Sequence, residues 1–145
     1  MKILVQRCNN AKVDVDNKTV GSIEKGLMLL VGFTDTDTSS TIDYMVDKVI
    51  NLRIFDDENG VMNKSLIDTG GSILSVSQFT LYADASKGRR PSYAHALSGD
   101  LAIKLYNEFN TKLKDKNIHV ETGIFGADMQ VTLTNDGPVT IMLEK

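Results

Sequence analysis

The sequence predicts a single α+β domain, residues 1–145, in which two long amphipathic helices pack on an antiparallel or mixed, barrel-like β-sheet. The chain of 145 residues is 41% hydrophobic, which suffices for one core without metals or disulfides. Strand-like patterning occurs near both ends, and two stretches with helical spacing lie between them. Because strands and helices do not alternate regularly, α+β is favoured over a parallel α/β sheet.

The N-terminal part of the chain is predicted to form strands. Residues 2–8 and 11–15 carry apolar residues suited to strands, and Asn9-Asn10 between them predicts a short hairpin turn. A second turn is expected at Asp16-Asn17. Residues 27–33 form a continuous apolar run, which is typical of a strand covered on both faces.

The first helix is predicted after a polar loop, residues 34–40, which ends in good N-cap residues. The acidic cluster beyond this helix, Asp56 to Gly60, lacks the glutamate that an EF-hand requires after its glycine, so a solvated turn is the better interpretation. The apolar face of the helix recurs at helical spacing and consists of Ile42, Met45, Val46, Val49 and Ile50.

Residues 72–84 form the longest strand-like run and are expected to be central in the sheet. Within this run, Ser77-Gln78-Phe79-Thr80 places hydroxyls and an amide where a buried strand would continue with Val or Ile. The segment is either the polar face of a half-exposed strand or a functional site, because buried polar groups need partners.

The second helix is predicted to begin at Pro91-Ser92-Tyr93, because proline is favoured in the first helical turn. His95 and His119 lie far apart without a cysteine or carboxylate at ligand spacing, and are expected to be surface or structural residues. The apolar face of this helix consists of Leu101, Leu105, Tyr106, Phe109 and Leu113.

Near the C-terminus, Asn135 to Thr140 reads Asn-Asp-Gly-Pro-Val-Thr between two strand-like runs. Asn, Asp and Gly tolerate turn conformations and proline removes a donor, so this segment predicts a hairpin turn. The Gly137-Pro138 bond is also a candidate for a cis peptide.

Charge and cysteine content exclude several classes of protein. The net charge of −3 argues against broad nucleic-acid binding, and no DNA partner is expected. Lys87, Arg89 and Arg90 nevertheless form a local basic cluster, and residues 112–116 form a second one. The single cysteine and the absence of an apolar run of ~20 residues predict a soluble, cytoplasmic protein with no membrane association. Arg7 is expected to be a solvated or edge charge and is kept as a site candidate.

Common catalytic signatures are absent, since the chain has no G-x-S-x-G elbow, P-loop or H-E-x-x-H sequence. However, Ser77 to Leu81 and Asn135 to Thr140 resemble the two signature motifs of the D-aminoacyl-tRNA deacylase (D-tyrosyl-tRNA deacylase) family. The resemblance covers essentially the whole chain. It extends to Val5-Gln6-Arg7, Asn51 to Phe55, Gly88 to Tyr93 and Gly123 to Met129.

The resemblance implies a homodimer that hydrolyses the ester of D-aminoacyl-tRNA at the subunit interface, without a cofactor or metal. Ser77, Gln78, Phe79 and Thr80 would line the reacting centre. Gly137 and Pro138, joined by a cis peptide, would enter the partner's pocket and reject L-amino acids, while achiral glycine would be accepted. Arg7, Met129 and Asn135 are expected to support the site, and Lys87, Arg89 and Arg90 to contact tRNA phosphates.

Three alternatives stay open from the sequence. Thr80 is the obvious side-chain nucleophile, but no base lies near it in sequence, so water assisted by the substrate's 2′-hydroxyl is the favoured attacking group. A nucleotide-binding module without chemistry would use the same polar residues. A general esterase would use Thr80 on small esters without tRNA.

Overall fold

The computed structural model describes all residues 1–145 and shows a mixed, nearly closed β-sheet that carries helices on one face. The strands are β1 (Lys2–Val15), β2 (Lys18–Ile23), β3 (Gly26–Gly32), β4 (Phe55–Asp56), β5 (Met62–Lys64), β6 (Ser72–Ser77), β7 (Val120–Thr122) and β8 (Gln130–Glu144). The helices are α1 (Ser39–Asn51), α2 (Leu66–Thr69) and α3 (Gly99–Asp115), with a 3₁₀ turn at Phe79–Tyr82. The predicted fold class is confirmed.

The main sheet runs in the order β2-β1-β3-β6-β7, and β8 pairs with the other edge of β1. β1 is antiparallel to β2, β3 and β8, whereas β6 is parallel to both β3 and β7. The two ends of the sheet approach closely, because a Cβ atom at Gly21 would lie 2.7 Å from the carbonyl oxygen of Thr122. A side chain at Gly21 would therefore hold the ends apart.

Apolar residues lie on both faces of the sheet, but helices pack on only one of them. On one face, α1 and α3 pack on the first core cluster, to which β1 contributes Ile3 and Val5. On the other face, a smaller cluster includes Val13, Leu74 and Val76. Alternation along the strands distributes neighbouring residues between these two clusters.

Two local predictions are confirmed by the caps and turns of the structure. Thr38 caps α1 through a reciprocal pair of contacts with Thr41, as expected for a polar loop before an amphipathic helix. Asp16 and Asn17 form the β1–β2 turn with φ of 49° and 62°. Asparagine and aspartate tolerate this left-handed region better than most residues.

The predicted turn at Asn9-Asn10 is wrong, because β1 continues through these residues as one strand. Residues 2–8 pair with β3 and residues 11–15 pair with β2, while β8 follows both halves on the opposite edge. The two asparagines are exposed at the point where the strand changes partner. Their polarity marks this change and not a chain reversal.

The predicted strand over residues 72–84 is too long. β6 ends at Ser77, and the chain then forms the 3₁₀ turn over Phe79–Tyr82. The amide of Gln78 still donates to the carbonyl of Val31 at 2.7 Å, so the turn begins where the last contact with β3 is made. The polar residues of the signature motif therefore end a strand instead of continuing it.

The second long helix begins at Gly99 after the N-cap residue Ser98, and not at Pro91 as predicted. Ser92 is held in extended backbone because its amide and carbonyl both pair with Asp84, each at 2.8 Å. These bonds occupy groups that a helix would use. The predicted apolar face is confirmed for Tyr106, Phe109 and Leu113, which are buried, and for Leu105, which is half-buried. It is wrong for Leu101, which is 62% exposed because Ala102 takes the buried position in the first turn.

The predicted hairpin at Asn135 to Thr140 is also wrong. Both halves of β8 pair with the same strand, with Gln6 opposite Thr140 and Cys8 opposite Asn135. The four residues 136–139 thus lie opposite the single residue Arg7, which makes the segment a large bulge.

No helix of the structure is both long enough and apolar enough to cross a membrane.

Candidate active site

A cavity of about 300 Å³ opens where β3 and β6 end, beneath the start of α3. Ser77, Gln78 and Phe79 form one wall, and Met129 lies among the other lining residues. The remaining lining is largely apolar and consists of Val31, Gly32, Phe33, Val76, Leu97, Ala102, Phe125, Gly126, Ala127 and Val131. Such a cavity suits a flat or apolar group that carries polar atoms at one end.

The polar wall of the cavity is fixed by close packing of two backbones. A Cβ atom at Gly32 would lie 2.8 Å from the carbonyl oxygen of Gln78, so only glycine lets β3 approach the turn this closely. Phe79 is 52% exposed, and its ring meets Tyr93 edge-on with the centroids 5.2 Å apart. The wall is therefore closely packed at its base and open to solvent at its rim.

Thr80 lies just beyond the cavity lining and is tied to it by Gln78. The side-chain amide of Gln78 donates to the hydroxyl oxygen of Thr80. The first hydrogen bond of the 3₁₀ turn is made by the amide of Leu81, so the N–H groups of Phe79 and Thr80 have no partner within the turn. No titratable side chain lines the cavity. The polar groups of this wall are thus backbone N–H groups, the side-chain amide of Gln78 and the hydroxyl of Ser77.

Gly137 and Pro138 lie in the bulge of β8, outside the cavity lining. Both residues are exposed, and the peptide bond between them is cis. Gly137 has φ of +116°, a conformation that favours glycine. Asn135 closes the base of the bulge by donating from its side chain to the carbonyl of Val139 at 3.1 Å.

Arg7 lies under the bulge and binds its backbone. The sequence-based prediction that Arg7 is a solvated or edge charge is therefore wrong. The residue is only 6% exposed, because its guanidinium has found partners on two segments. Nε lies 3.3 Å from the carbonyl oxygen of Asp136 and 3.0 Å from its carboxylate. Nη1 donates to the carbonyl of Ile54 at 2.7 Å and to the carboxylate of Asp56 at 3.3 Å. Arg7 thereby joins the bulge to the chain segment that follows α1.

The predicted site residues thus fall into two groups within one chain. Ser77, Gln78, Phe79 and Met129 share the cavity, and Thr80 is joined to them through Gln78. The second group lies at the bulge and consists of Arg7, Asn135, Gly137 and Pro138. None of the second group lines the cavity.

The basic loop lies between the paired residues Asp84 and Ser92. Lys87, Arg89 and Arg90 are exposed in it and form neither an ion pair nor a side-chain hydrogen bond. Hydrogen bonds from Ser86 hold the pKa of Asp84 below its ordinary value. Because Tyr93, directly after the loop, contacts Phe79, the basic cluster stands beside the cavity rim.

The second basic cluster is divided by its contacts. Lys112 pairs with Asp43 at 2.5 Å and with Glu108 at 3.0 Å, so its charge ties α3 to α1. Lys114 has no such partner and remains exposed. Nowhere in the chain do three His, Cys, Asp or Glu side chains gather as a metal-binding group.

Sequence reasoning missed the apolar residues of the cavity. Phe125 and Leu97 have the composition of core residues, and no local pattern distinguishes a cavity wall from a packed core. The sequence predicts a helix start at Tyr93, whereas its ring contacts Phe79 at the cavity rim. The Gly123 to Met129 motif is the one sequence signal that includes further lining residues, such as Phe125 and Met129.

Fold and site together define a single-domain α+β protein with a mainly apolar cavity, a wall of uncharged hydrogen-bonding groups and a separate, exposed glycine–proline bulge. The family model described as D-Tyr-tRNA(Tyr) deacylase matches residues 4–144. D-aminoacyl-tRNA deacylases of Thermosipho africanus and Clostridioides difficile are each 57% identical over 144 residues, covering 99% of this chain and 97% of theirs. The chain therefore belongs to the D-Tyr-tRNA(Tyr) deacylase family.

Solved structures agree with this assignment of the fold. One titled "c-Myc DNA Unwinding Element Binding Protein" has a TM-score of 0.94 and 40% identity, and the match covers 100% of this chain and 99% of the other. A probable eukaryotic D-amino acid tRNA deacylase has a TM-score of 0.82 at 21% identity, covering 98% and 97%. At that identity, the second likeness concerns the fold alone.

Proposed function

We propose that this protein hydrolyses the ester bond between a D-amino acid and the terminal ribose of tRNA, releasing the free amino acid and tRNA. Family membership over the whole chain carries the proposal. The position of the first signature motif supports it, because Ser77, Gln78 and Phe79 line a cavity instead of lying in the core.

The chemistry proposed for the cavity relies on hydrogen-bond donors. Ester hydrolysis develops negative charge on the carbonyl oxygen, and the N–H groups of Phe79 and Thr80 have no partner within their turn. One such donor typically contributes about 10²–10³-fold in rate. Water, assisted by the 2′-hydroxyl of the substrate, is the attacking group. Thr80 only orients, since no titratable group of the cavity is placed to activate its hydroxyl.

Chirality is proposed to be read by Gly137 and Pro138 of a second subunit. Within one chain these residues lie outside the cavity, are exposed and are held from beneath by Arg7. An obstacle fixed in this way rejects the L-isomer by a clash and leaves the D side chain free. Glycyl-tRNA carries no side chain to clash, so it is proposed as a further substrate.

A homodimer is proposed because one face of the sheet lacks a cover. Leu4 is paired with Leu30 on β3 and with Met142 on β8, and these residues alternate with those that face the helices. Met142 is 48% exposed. Lys2, on the same face of β1, lies over the ring of Tyr82 at 4.8 Å, so this face borders the 3₁₀ turn that carries Phe79. A partner on this face would stand next to the cavity rim.

The deciding experiment compares hydrolysis of D-tyrosyl-tRNA and L-tyrosyl-tRNA by the purified protein, with glycyl-tRNA as a third substrate. We expect turnover of the D-ester and the glycyl ester and negligible turnover of the L-ester. Binding of D-tyrosyl-tRNA without ester release would instead indicate a nucleotide-binding module. Rapid hydrolysis of small esters without tRNA would indicate a general esterase.

The role of Thr80 is tested with Thr80→Ser and Thr80→Val. If Thr80 orients through its contact with Gln78, Thr80→Ser keeps the rate within about threefold, since the hydroxyl that accepts the bond remains. Thr80→Val removes the hydroxyl and should be slower. Accumulation of an acyl-enzyme on Thr80 in rapid-quench experiments would show that the residue is a nucleophile.

A further inference from the structure

Two exposed aromatic side chains meet at the rim of the cavity. Phe79 is 52% exposed and Tyr93 is 42% exposed, and their ring centroids lie 5.2 Å apart with the ring planes inclined at 65°. Tyr44 is the only other aromatic residue exposed to a similar degree, and the ammonium group of Lys145 lies 4.7 Å from the centroid of its ring. Phe79 and Tyr93 are therefore the one pair of aromatic rings that the chain presents to solvent.

The faces of these two rings are open to a ligand. Because the planes are steeply inclined, the contact covers at most one face of each ring, and neither residue is enclosed by the rest of the chain. The backbone of Tyr93 is also held on both sides. Its neighbour Ser92 pairs with Asp84, and its own carbonyl accepts from the amide of Ala96 at 3.0 Å. A tyrosine fixed in this way offers a large contact area at a low cost in conformational entropy.

The charge beside the rings is positive. The basic loop carries three exposed cations without an ion pair, although the chain as a whole has a net charge of −3. Asp84 is the only acidic residue of the segment 80–98. Arg90 precedes Tyr93 by three residues, so their Cα atoms are at most about 11 Å apart. Aromatic rings beside cations that can neutralise phosphates are the combination by which proteins bind single-stranded nucleic acid.

The position of the pair fits one nucleotide of the proposed substrate. Phe79 belongs both to the lining of the cavity and to its exposed rim, so a ligand that leaves the cavity on this side passes its ring. The cavity volume of about 300 Å³ lies at the lower end of the range for small-molecule sites, which leaves room for one aminoacylated nucleoside at most. The nucleotide that precedes it must therefore lie outside the cavity.

We propose that Phe79 and Tyr93 stack on the base that precedes the terminal adenosine of tRNA, while the basic loop binds phosphates of the same strand. The proposal rests on the proposed function, because that strand carries the ester. Stacking uses the face of a base, which all four bases share, so the site tolerates any base but requires one. Tyr93 is then a binding residue that lies outside the cavity lining.

The test removes the base and the ring separately and together. Hydrolysis of D-tyrosyl-tRNA is compared with hydrolysis of the same tRNA lacking the base of its penultimate nucleotide. In the wild type, loss of the base should raise KM about tenfold and leave kcat unchanged, as the loss of one stacking contact predicts. Tyr93→Leu should raise KM to the same extent with the complete tRNA and should be insensitive to loss of the base. Tyr93→Phe keeps the ring and should behave as the wild type.

Two controls accompany this comparison. Tyr44→Leu removes an exposed ring from α1 and should leave KM unchanged. Exchange of the penultimate base for any of the other three should change KM less than about threefold in the wild type. Because Tyr93→Leu removes no charge, the dependence of KM on salt should keep its wild-type slope.

Three results would overturn the proposal. The first is a wild-type KM that does not respond to loss of the base. The second is a Tyr93→Leu variant with a lower kcat that still responds to the base, since Tyr93 would then only pack against Phe79. The third is a weaker dimer in Tyr93→Leu, measured by analytical ultracentrifugation, which would assign the aromatic pair to a subunit interface.

A binding experiment distinguishes failure of this proposal from failure of the proposed function. An RNA with the sequence of the tRNA 3′ strand, without an amino acid, carries the fluorescent base 2-aminopurine at the penultimate position. The chain contains no tryptophan, so the probe is observed without interference from the protein. A fluorescence change with the wild type and Tyr93→Phe, but not with Tyr93→Leu, would support stacking even if no ester were hydrolysed. Hydrolysis of D-tyrosyl-tRNA without such a change would leave the function intact and contradict the stacking site.

Discussion

The two signature segments, Ser77 to Thr80 and Asn135 to Val139, both interrupt a strand but stand in opposite environments. The first ends β6 and lines a cavity made by its own chain, with Gln78 anchored to β3 and Thr80. The second bulges out of β8 and is exposed at Gly137 and Pro138. The first segment thus forms part of a cavity, whereas Gly137 and Pro138 of the second lie outside both that cavity and the core. A role for the bulge against another molecule is part of the proposed function.

The supports of the two segments differ as well. The 3₁₀ turn is held mainly by backbone contacts, such as the 2.7 Å bond from Gln78 to Val31. The bulge is held by two side chains: Asn135 binds the carbonyl of Val139, and Arg7 binds the carbonyls of Asp136 and Ile54. Backbone support tolerates side-chain substitution, whereas the link from the bulge to Ile54 depends on Arg7. The predictions below test this difference, beginning with the largest effect.

Arg7→Ala should have the largest effect, because it removes the only side chain beneath the bulge that bridges to a second segment. The variant leaves the buried carbonyl of Ile54 without its partner and should lower the free energy of unfolding by about 2–3 kcal/mol. It should lower kcat/KM for D-tyrosyl-tRNA about 100-fold, because the bulge is no longer held in place. Urea unfolding and single-turnover kinetics measure the two effects.

Arg53→Ala is the matched control for Arg7→Ala. Arg53 also pairs with a backbone carbonyl, that of Asn63 at 2.8 Å, but it is exposed. Its loss should change stability by less than about 1 kcal/mol and leave turnover unchanged. Equal effects of the two substitutions, or a fully active Arg7→Ala, would contradict the role given to Arg7.

Gly137→Ala should have the next largest effect. The new methyl group would lie 2.8 Å from Val139 Cγ2 and 3.2 Å from Arg7 Nη2, so the bulge must shift. Gly60→Ala is the control, since Gly60 also has a positive φ of 73° but no atom within 4 Å of a built Cβ. Both variants should lose about 1–2 kcal/mol of stability from the left-handed backbone. Only Gly137→Ala should lose more than about tenfold in kcat/KM; similar activities would exclude a functional role for this packing.

Replacement of the basic loop should give a smaller effect that depends on salt. If Arg89 and Arg90 contact phosphates, the double replacement Arg89→Ala with Arg90→Ala should reduce the slope of log KM against log salt by about 1.5. The kcat value should stay constant, because neither residue lines the cavity. Lys18→Ala with Lys25→Ala removes two exposed charges elsewhere and is the control. An unchanged slope in the first variant would mean that the loop is only solvated.

The difference between the two segments also explains what the sequence could predict. The helical spacing of α1 and α3 and the apolar run of β3 are local patterns. The structure confirms the two helices and the strand that they predict. The change of partner at Asn9-Asn10 depends on the pairing of β1 with β2 and β3, and the burial of Arg7 depends on Ile54, 47 positions away. No local pattern contains this information. The motif at Asn135 to Thr140 stands out in the sequence, but its turn residues predict a chain reversal, because only strand pairing distinguishes a bulge from a hairpin.

The smallest predicted effect concerns Cys8, which pairs with Asn135 at the edge of the bulge and is fully buried. Burial raises the pKa of its thiol to about 11 from the ordinary value of 9.0. The thiol should therefore resist alkylation at pH 8 while the bulge is closed, and react at the rate of a free thiol in urea.

The same pKa difference makes the free energy of unfolding depend on pH. Because the pKa of Cys8 is higher in the folded than in the unfolded protein, its contribution to the free energy of unfolding is complete below pH 9 and is lost as the pH rises toward about 11. Cys8→Ala should remove this loss of stability between pH 9 and pH 11, as measured by urea unfolding at each pH.

The alkylation rate of Cys8 also tests the role of Arg7. In Arg7→Ala the thiol should stay buried by the contacts of its own strand, but its alkylation rate at pH 8 should rise, because the neighbouring bulge opens more often. Equal alkylation rates in the wild type and Arg7→Ala would show that Arg7 does not control the opening of this segment.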